Sequence, residues 1–449
     1  MLIDLFLSKI AEICQGELIG DDVLISSVET NSKESKISSL FVALKGDRFD
    51  GHDYVSQAFE NGFLAALVSQ DVGVSPAIVV NDTLTAYGEI ARYIRHSFKG
   101  KVVAVTGSNG KTTVKEWLSH IVSEHNGVLK TKNNENNQVG VPKTLLDLSE
   151  DHQVAIIETG TSYPGEIEKM GRVITPDIAV LTNASGCHYS GFGTLDAIAK
   201  EKGALLSSTS RSGSVVLNKD DPFYVYWAGL AKGRVIRSFG FDNDAQLWVD
   251  DILLCDDHSV ARFHYKGESV LGRVGSPGRH QIANGMAVVQ VLLCIGWTFK
   301  SAVLALADSL VIPGRLQKIY SENRPLLLND CYNASPKSVN AAIDVLQCQK
   351  VENTVLVLGA LGELGALEAS VHQEIGRYAF QSGVSCLIAL GPVAGIASSV
   401  FSSLGGKAYV FDTHSEISQK LKELNDSSAV LIKGSRSAQM EKVIEDLDY

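Results

Sequence analysis

The stretch VVAVTGSNGKTTVKEW (102–117) decides how the middle of this chain folds. It predicts a buried strand, a turn that contains glycine, and a helix that begins at Lys111. In such an arrangement the backbone N–H groups of the turn and of the helix start point at anionic oxygens, as in a phosphate-binding loop. Lys111 would reach the β- and γ-phosphates of a nucleotide, and the Thr112 hydroxyl would bind Mg²⁺. The pattern departs from G-x-x-x-x-G-K-[ST] at Val105, and the alternative is a chance GKT at a helix start.

Strands and helices alternate on both sides of this loop, which predicts an α/β protein. Apolar segments of strand length follow segments of helical periodicity, and this order implies parallel strands joined by crossover helices. Residues 245–275 instead alternate apolar and polar side chains and predict a small antiparallel patch. Beyond residues 311–314 the strand–helix alternation begins again. The segments that carry these predictions are VAIIET (154–159), DIAVLTNA (177–184), LDAIAKEKGALL (195–206), TVLVLGA (354–360), CLIALG (386–391) and AVLIKG (429–434).

We therefore predict three domains in this chain of 449 residues. Residues 1–97 would form a small N-terminal α/β domain. Residues 98–312 would form a central domain, with a mostly parallel sheet of phosphate-loop type flanked by helices. Residues 313–449 would form a C-terminal Rossmann-like α/β domain. Three domains suit the length, because a typical domain has about 150 residues.

Charge and composition exclude several classes of protein. Forty basic and fifty-one acidic residues give a formal charge of −11, which argues against a general nucleic-acid binder but leaves room for a local basic pocket. No apolar stretch approaches the roughly 20 residues that a membrane span needs. The first residues, MLIDLFLSKIAEICQG, lack the basic start of a secretory signal, so we expect a cytoplasmic protein. Seven scattered cysteines fit a reduced compartment.

Two further residues are candidates for the nucleotide site. Glu158 ends the apolar strand VAIIE, and a carboxylate at the carboxyl end of a parallel strand is suited to bind Mg²⁺. A helix-capping or surface role for Glu158 is the alternative. His188 follows the strand DIAVLTNA and is a second candidate, although a lone histidine is more often structural.

Segments spread over most of the chain resemble the Mur ligases. The matching segments are FVALKGDRFDGHDY (41–54), TGSNGKTTVKE (106–116), NNENNQVGVPKTLL (133–146), ETG (158–160), HYSGFGTLDAIAKEKG (188–203), GRHQIANGMA (278–287), PGRLQ (313–317), DCYNASPKS (330–338), GALGELG (359–365) and KGSRS (433–437). The resemblance implies an ATP- and Mg²⁺-dependent ligase of peptidoglycan synthesis, whose N-terminal domain binds a UDP-linked substrate. The D-x-Y-N-A-x-P-x-S segment resembles that of the member that joins D-Ala-D-Ala to UDP-MurNAc-tripeptide. That reaction passes through an acyl phosphate and yields the UDP-MurNAc-pentapeptide.

The resemblance also implies roles for individual residues. Lys111, Lys200 and His188 would be catalytic, and Lys200 as a carbamate would join Thr112, Glu158 and His188 around the metal. Lys202 is the alternative site of that modification. The predicted substrate contacts are Lys45, Asn136 and Asn137. The predicted ATP contacts are Gly107, Ser108, Asn109, Gly110, Lys111, Thr112, Thr113, His280, Asn284, Arg315, Asp330 and Asn333.

The sequence leaves some alternatives open. Another Mur-type ligase or a ligase like folylpolyglutamate synthase would carry a similar loop, and a phosphate-loop protein that acts as a nucleotide switch is a rival of another class. The third residue of the tripeptide, diaminopimelate or lysine, is not specified by the sequence. We expect a monomer that binds neither nucleic acid nor membrane.

Overall fold

A computed structural model describes residues 4–46, 48–186 and 189–447 of the chain. Three large sheets follow one another along the sequence, each flanked by helices, and this confirms the predicted three-domain α/β architecture. The predicted domain limits, after residues 97 and 312, stay predictions. No helix within the described ranges is both long and apolar enough to span a membrane.

The N-terminal sheet has five strands in the order β2-β7-β6-β5-β4, with β2 antiparallel to the rest. A separate two-stranded ribbon pairs β1 with β3. Strands and helices of this region are β1 Leu5–Phe6, α1 Leu7–Cys14, β2 Glu17–Ile19, β3 Leu24–Ile25, β4 Ser27–Glu29, β5 Ser39–Val42, α2 Val55–Glu60, β6 Ala65–Val68, β7 Ala77–Val79 and α3 Thr83–Ser97, with a 3₁₀ turn at Gly51–Tyr54.

The central sheet has nine strands in the order β16-β15-β14-β13-β12-β11-β8-β10-β9. The strands from β14 to β9 in this order are all parallel to one another. Strands β15 and β16 add the antiparallel patch predicted for residues 245–275. The strands are β8 Lys101–Thr106, β9 Val128–Lys130, β10 Val154–Glu158, β11 Ile178–Leu181, β12 Ser214–Asn218, β13 Val235–Gly240, β14 Leu247–Leu254, β15 Ser259–Tyr265 and β16 Glu268–Val274. The helices are α4 Lys111–Ser123, α5 Gly140–Leu146, α6 Glu166–Ile174, α7 Tyr189–Phe192, α8 Leu195–Ser208, α9 Tyr224–Leu230, α10 Arg279–Cys294 and α11 Phe299–Leu304, with a 3₁₀ turn at Ala305–Asp308.

The C-terminal sheet has six strands in the order β17-β18-β22-β19-β20-β21, and all but β17 run parallel. The last strand along the chain, β22, lies between β18 and β19. The elements are β17 Gln317–Ile319, β18 Leu326–Asp330, α12 Pro336–Gln347, β19 Asn353–Leu358, α13 Glu368–Gln381, β20 Cys386–Leu390, α14 Gly391–Ser403, β21 Lys407–Phe411, α15 His414–Leu421, β22 Ser428–Lys433 and α16 Glu441–Glu445, with 3₁₀ turns at Gly365–Leu367 and Arg436–Ala438.

Buried apolar side chains show which parts of the chain share a core. One cluster extends from Leu7 to Ala231 and includes side chains of the N-terminal sheet and of one face of the central sheet. A second cluster covers the other face of the central sheet, and two further clusters lie on the two faces of the C-terminal sheet. The first two sheets therefore pack on common apolar side chains, whereas the C-terminal clusters contain only residues from Leu316 onward.

Candidate active site

The loop between β8 and α4 lies at the carboxyl end of a strand in the middle of the central sheet. Gly107 and Gly110 have φ angles of 148° and 84°, a backbone region that favours glycine. A Cβ atom on Gly107 would lie 1.9 Å from Thr182 Oγ1, and one on Gly110 would lie 2.3 Å from Asn284 Oδ1. The side chain at Lys111 folds over the loop and donates to Gly107 O at 2.8 Å. The tight turn and the helix start form the cradle that a phosphate group requires.

Glu158 and Thr112 meet beside this loop. Glu158 ends β10, the strand next to β8, and only 2% of the residue is exposed. The Thr112 hydroxyl donates to Glu158 Oε1 at 3.3 Å. Glu158 Oε2 is buried and accepts no hydrogen bond, although Lys115 Nζ lies 3.6 Å away. A hydroxyl and a carboxylate with an uncommitted oxygen are the hard donors that suit Mg²⁺.

Asn136 and Asn137 have different surroundings. Asn136 Nδ2 donates to Glu158 Oε1 at 2.9 Å, so this side chain lies at the predicted site. Asn137 instead uses Oδ1 to accept from the backbone N–H groups of Val139 and Gly140, at 3.1 and 2.9 Å. Its side-chain oxygen therefore stabilises the start of α5 rather than extending toward Glu158. The geometry favours Asn136 of the two as a substrate contact.

Arg315 brings the C-terminal domain to the loop. Its Nη2 donates to Thr112 Oγ1 at 3.0 Å, and its guanidinium lies 4.3 Å from the ring centre of Tyr332. Asp330 lies behind it and accepts from Leu316 N at 3.1 Å. The other carboxylate oxygen of Asp330 accepts from Lys433 Nζ at 2.5 Å. Arg315 is thus next to the predicted phosphate and metal positions, and Asp330 positions the segment that carries it.

Lys433 also fixes the position of Asn333. The ammonium group of Lys433, which is 2% exposed, donates to Asn333 O at 2.9 Å. The Asn333 side chain is exposed and accepts from Ala334 N. Lys433 is therefore committed to a buried ion pair, whereas Asn333 lies at the surface of the loop before α12.

His280 and Asn284 lie one turn apart on α10, as the helical spacing predicts. Asn284 is buried, adjoins Gly110 and donates to Gln281 Oε1 at 2.9 Å. Burial lowers the pKa of His280 to about 4, so the imidazole is neutral at pH 7. A neutral imidazole and an amide can recognise an uncharged polar ring by hydrogen bonds.

The two candidate lysines on α8 lie on different faces of the helix. Lys200 is exposed to solvent, whereas Lys202 is buried, with 2% of its surface accessible. An exposed lysine does not fit the predicted role of Lys200 as a metal-binding carbamate, because that role requires a position inside the cleft. The burial of Lys202 favours the alternative assignment. His188 lies outside the described residues.

Lys45 lies in the N-terminal region and not in the central sheet that carries the loop. It belongs to the segment that follows β5, and its ammonium lies 3.6 Å from Asp50 Oδ2 with 76% of the side chain exposed. Among the described residues, no group of three or more histidine, cysteine, aspartate or glutamate side chains could hold a metal by itself. Beside Glu158, the described residues offer the Thr112 hydroxyl as a further oxygen donor.

Three residues at the site were missed by the sequence prediction. Lys115 is buried beside Glu158, and Ser335 donates to Asn109 Oδ1 at 2.8 Å from the C-terminal domain. Glu201 is buried and accepts from Gly165 N at 2.7 Å and Ile167 N at 2.8 Å, which fixes the loop that follows β10. Lys115 could have been noticed as a lysine four residues after Lys111, since this spacing places both on one side of a helix.

Fold and phosphate loop define the chain as a nucleotide-binding α/β protein of three domains. Three family models match it: the Mur ligase family catalytic domain over residues 24–125, the Mur ligase middle domain over 105–292 and the Mur ligase glutamate ligase domain over 314–436. The chain belongs to the Mur ligase family and is an ATP-dependent ligase.

Relatives match over nearly the full length. UDP-N-acetylmuramoyl-tripeptide–D-alanyl-D-alanine ligase of Escherichia coli strain K12 is 34% identical, and the match covers 99% of both chains. A crystal structure of MurF from Acinetobacter baumannii is 31% identical, with a TM-score of 0.91 and 98% of both chains covered. MurF ligase from Thermotoga maritima in complex with ADP is 27% identical, with a TM-score of 0.85 over 94% of this chain and 97% of that one.

Proposed function

We propose that this chain joins D-Ala-D-Ala to UDP-MurNAc-tripeptide and converts ATP to ADP and phosphate. Relatives that are named for this reaction match the chain over nearly its full length, and this similarity supports the assignment of these substrates. The observation that carries the chemistry is the meeting of Thr112, Glu158 and Arg315 beside the phosphate loop, with hydrogen bonds of 3.3 and 3.0 Å to the Thr112 hydroxyl. These groups come from two domains and converge where a triphosphate would end.

The reaction requires two anions to approach each other, and the residues of the loop are suited to that task. The carboxylate of the tripeptide takes the γ-phosphoryl group, the bond to ADP breaks, and an acyl phosphate forms. The amine of the dipeptide then attacks the acyl carbon, phosphate leaves with its electron pair, and the amine loses a proton. Lys111 and Arg315 supply positive charge beside the transferred group, where such charge stabilises the transition state. Bound Mg²⁺ would supply further charge neutralisation, and Thr112 and Glu158 would hold it.

We assign the metal-binding carbamate to Lys202 in place of Lys200. A neutral lysine amine takes up CO₂ and releases a proton to give an anionic oxygen ligand, which suits a hard metal ion. Lys202 is buried on α8, a helix that packs against β8 and β11. Lys202→Ala should lose most ligation, and acetate should restore part of it. Lys200→Ala is the matched control and should stay within twofold of the wild type; a larger loss at Lys200 than at Lys202 would contradict the assignment.

The other substrate contacts follow from their positions. Asn136 donates to Glu158 and so lies where the carboxylate to be activated would approach. Lys45, on the N-terminal domain and largely exposed, is proposed to contact the uridine nucleotide. Since ATP and UDP-linked precursors are cytoplasmic metabolites, we propose that the reaction takes place in the cytoplasm.

A phosphate-release assay tests the function directly. The enzyme is given ATP and Mg²⁺ with a UDP-tripeptide that ends in either diaminopimelate or lysine, crossed with D-Ala-D-Ala, D-alanine, D-glutamate and diaminopimelate as amine donors. Phosphate should appear only when a UDP-tripeptide and D-Ala-D-Ala are both present, and mass spectrometry should show the UDP-pentapeptide. The preferred tripeptide identifies the third residue.

The same assay separates the rival functions. Phosphate release with another amine donor and no reaction with D-Ala-D-Ala would indicate a different ligase of the family. Release from ATP alone, at a rate that neither substrate changes, would indicate a nucleotide switch and overturn the proposal.

A further inference from the structure

Lys115 is a lysine that the reaction described above does not use, and it is fully buried. It lies on α4, four residues after Lys111. Its ammonium group donates to Thr131 O at 3.0 Å and to Asn133 O at 3.3 Å. Burying an ammonium group is costly unless it is paired and hydrogen-bonded, so its neighbours must compensate for the lost water.

Two carboxylates flank the Lys115 ammonium. Glu116 Oε1 lies 3.0 Å away, and Glu158 Oε2 lies 3.6 Å away. Glu116 has a second cation, because Lys130 Nζ lies 2.6 Å from its other oxygen. Among the ion pairs of the described residues, Lys115 is the only cation assigned to Glu158. Within the described residues, Lys115 is therefore the cation that offsets the charge of Glu158.

The two carbonyls that Lys115 binds belong to the loop that carries Asn136. Asn133 has a φ angle of 46°, a left-handed conformation that asparagine tolerates. Thr131 is tied to the same strand end, since its hydroxyl accepts from Glu158 N at 2.9 Å. The Lys115 ammonium thus links three elements: the helix after the phosphate loop, the asparagine-rich loop and the end of β10.

We propose that Lys115 is a positioning residue that holds the 131–137 loop against Glu158 and limits the negative charge that Glu158 offers to a metal ion. Glu158 Oε1 keeps its own donors, Thr112 and Asn136, when Lys115 is removed. The carboxylate would therefore stay in place but gain net negative charge. The loop, in contrast, loses the donor that binds two of its carbonyls. The inference rests on the proposed function only where it concerns the peptide substrate.

Two effects of opposite direction follow for Lys115→Met. Mn²⁺, used as a paramagnetic substitute for Mg²⁺, should bind the enzyme with ADP about tenfold more tightly, because a neighbouring positive charge is gone. KM for the UDP-tripeptide should rise about tenfold, because the loop that carries Asn136 is no longer held. KM for D-Ala-D-Ala should stay within threefold. Loss of a residue that only supports folding would not tighten Mn²⁺ binding while it raises KM for one substrate.

The experiment uses the full chain, with Mn²⁺ titrations followed by electron paramagnetic resonance and separate steady-state kinetics. Lys115→Met/Glu116→Gln removes the lysine together with Glu116, its nearer carboxylate partner, so that Glu116 is not left with one cation fewer. Lys130→Met is the matched control: it removes the other cation at Glu116 and should leave Mn²⁺ affinity and KM for the UDP-tripeptide within twofold.

Each outcome of these measurements either supports or overturns the proposal for Lys115. Tighter Mn²⁺ binding together with a raised KM for the UDP-tripeptide supports the proposal. Unchanged or weaker Mn²⁺ binding, or an unchanged KM in an enzyme that ligates, overturns it. If Lys115→Met and Lys115→Met/Glu116→Gln both fail to fold while Lys130→Met folds, the contacts of Lys115 serve folding alone and the proposal is overturned. A wild-type enzyme that makes no pentapeptide refutes the proposed function, while the Mn²⁺ titration still tests the charge of Lys115.

Discussion

The central domain meets its two neighbours through interfaces of different chemistry. Toward the N-terminal domain, apolar side chains on both sides belong to one buried cluster. Arg95 of α3 also crosses this interface: it donates to Ile174 O at 2.9 Å and forms an ion pair of 2.8 Å with Asp177. Toward the C-terminal domain the described contacts near the loop are hydrogen bonds, from Arg315 to Thr112 and from Ser335 to Asn109.

This difference indicates which interface can move. Separating apolar surfaces exposes them to water at a cost of about 25 cal/mol for each Å². Hydrogen bonds between polar groups contribute only about 1 kcal/mol each, because water replaces the lost partner. We therefore expect the N-terminal and central domains to act as one unit, and the C-terminal domain to swing about residues 311–314 and close on the nucleotide.

Lys111→Ala should have the largest effect and should separate activity from stability. It removes positive charge beside the transferred phosphoryl group, and a preorganised group of this kind contributes a factor of roughly 10²–10³ to kcat. The free energy of unfolding should change little, because Lys111 lies at the cleft rather than in a shared core. Steady-state kinetics and urea unfolding test this, with the exposed Lys300→Ala as control. A loss of less than tenfold would contradict the phosphate-loop assignment.

Arg95→Met should give the opposite result, a loss of stability with activity retained in the folded molecules. Arg95 is buried and Asp177 is partly exposed, so the substitution removes a donor from Ile174 O and an ion-pair partner from Asp177, at a cost of about 2 kcal/mol. Urea unfolding of Arg95→Met measures the cost. Arg92→Met is the control, since its ion pair with Glu89 is exposed and should contribute less than about 1 kcal/mol. Equal stabilities of the two variants would show that the interface between the N-terminal and central domains does not depend on the ion pair of Arg95 with Asp177.

Ser335→Ala removes one hydrogen bond between the C-terminal and central domains, the bond from Ser335 to Asn109. Ser335 also caps α12, so the matched control is Thr413→Ala, which removes a similar capping box from α15 in the same domain. A double-mutant cycle with Asn109→Ala should show a coupling of about 1 kcal/mol in kcat/KM for ATP. Thr413→Ala should show no coupling with Asn109→Ala. Additive effects of Ser335→Ala and Asn109→Ala would mean that the bond does not contribute to closure.

Closure itself should produce the smallest signal. Small-angle X-ray scattering of the full chain should show a lower radius of gyration with an ATP analogue and UDP-tripeptide than without them. The UDP-tripeptide alone provides the control, because it does not supply the phosphates that Arg315 would contact. Superimposable profiles in all three states would show that binding and domain closure are not coupled.

The fold was predictable where a strand of the central sheet is a short apolar run followed by glycine or a polar residue, as in β8, β10 and β11. The carboxyl ends of parallel strands share one edge of a sheet, so the sequence alone places the loop at Gly107 beside the carboxylate at Glu158. The antiparallel strands β15 and β16 were predicted by their alternating pattern. How strongly the neighbouring domains share a core could not be predicted, since it depends on which faces pack together.

The site was less predictable where one helical step decides burial. Lys200 and Lys202 are two residues apart and lie on different faces, and the segment AIAKEKG does not show which face turns inward. The cap formed by Asn137 depends on the local backbone, and the sequence does not distinguish it from its neighbour Asn136. Lys115 was missed because a lysine on an amphipathic helix is usually solvated.

The order of strands in the C-terminal sheet has a consequence for synthesis on the ribosome. Strand β22, Ser428–Lys433, lies between β18 and β19, so the middle of the sheet is supplied by the strand of this sheet that comes last in sequence. The N-terminal sheet, in contrast, has all its strands by Val79. We expect the N-terminal sheet to form while translation continues, and the C-terminal sheet to form only after residue 433 has left the exit tunnel. A premature stop a few codons before Ser428 would therefore remove the centre of this domain rather than a dispensable tail.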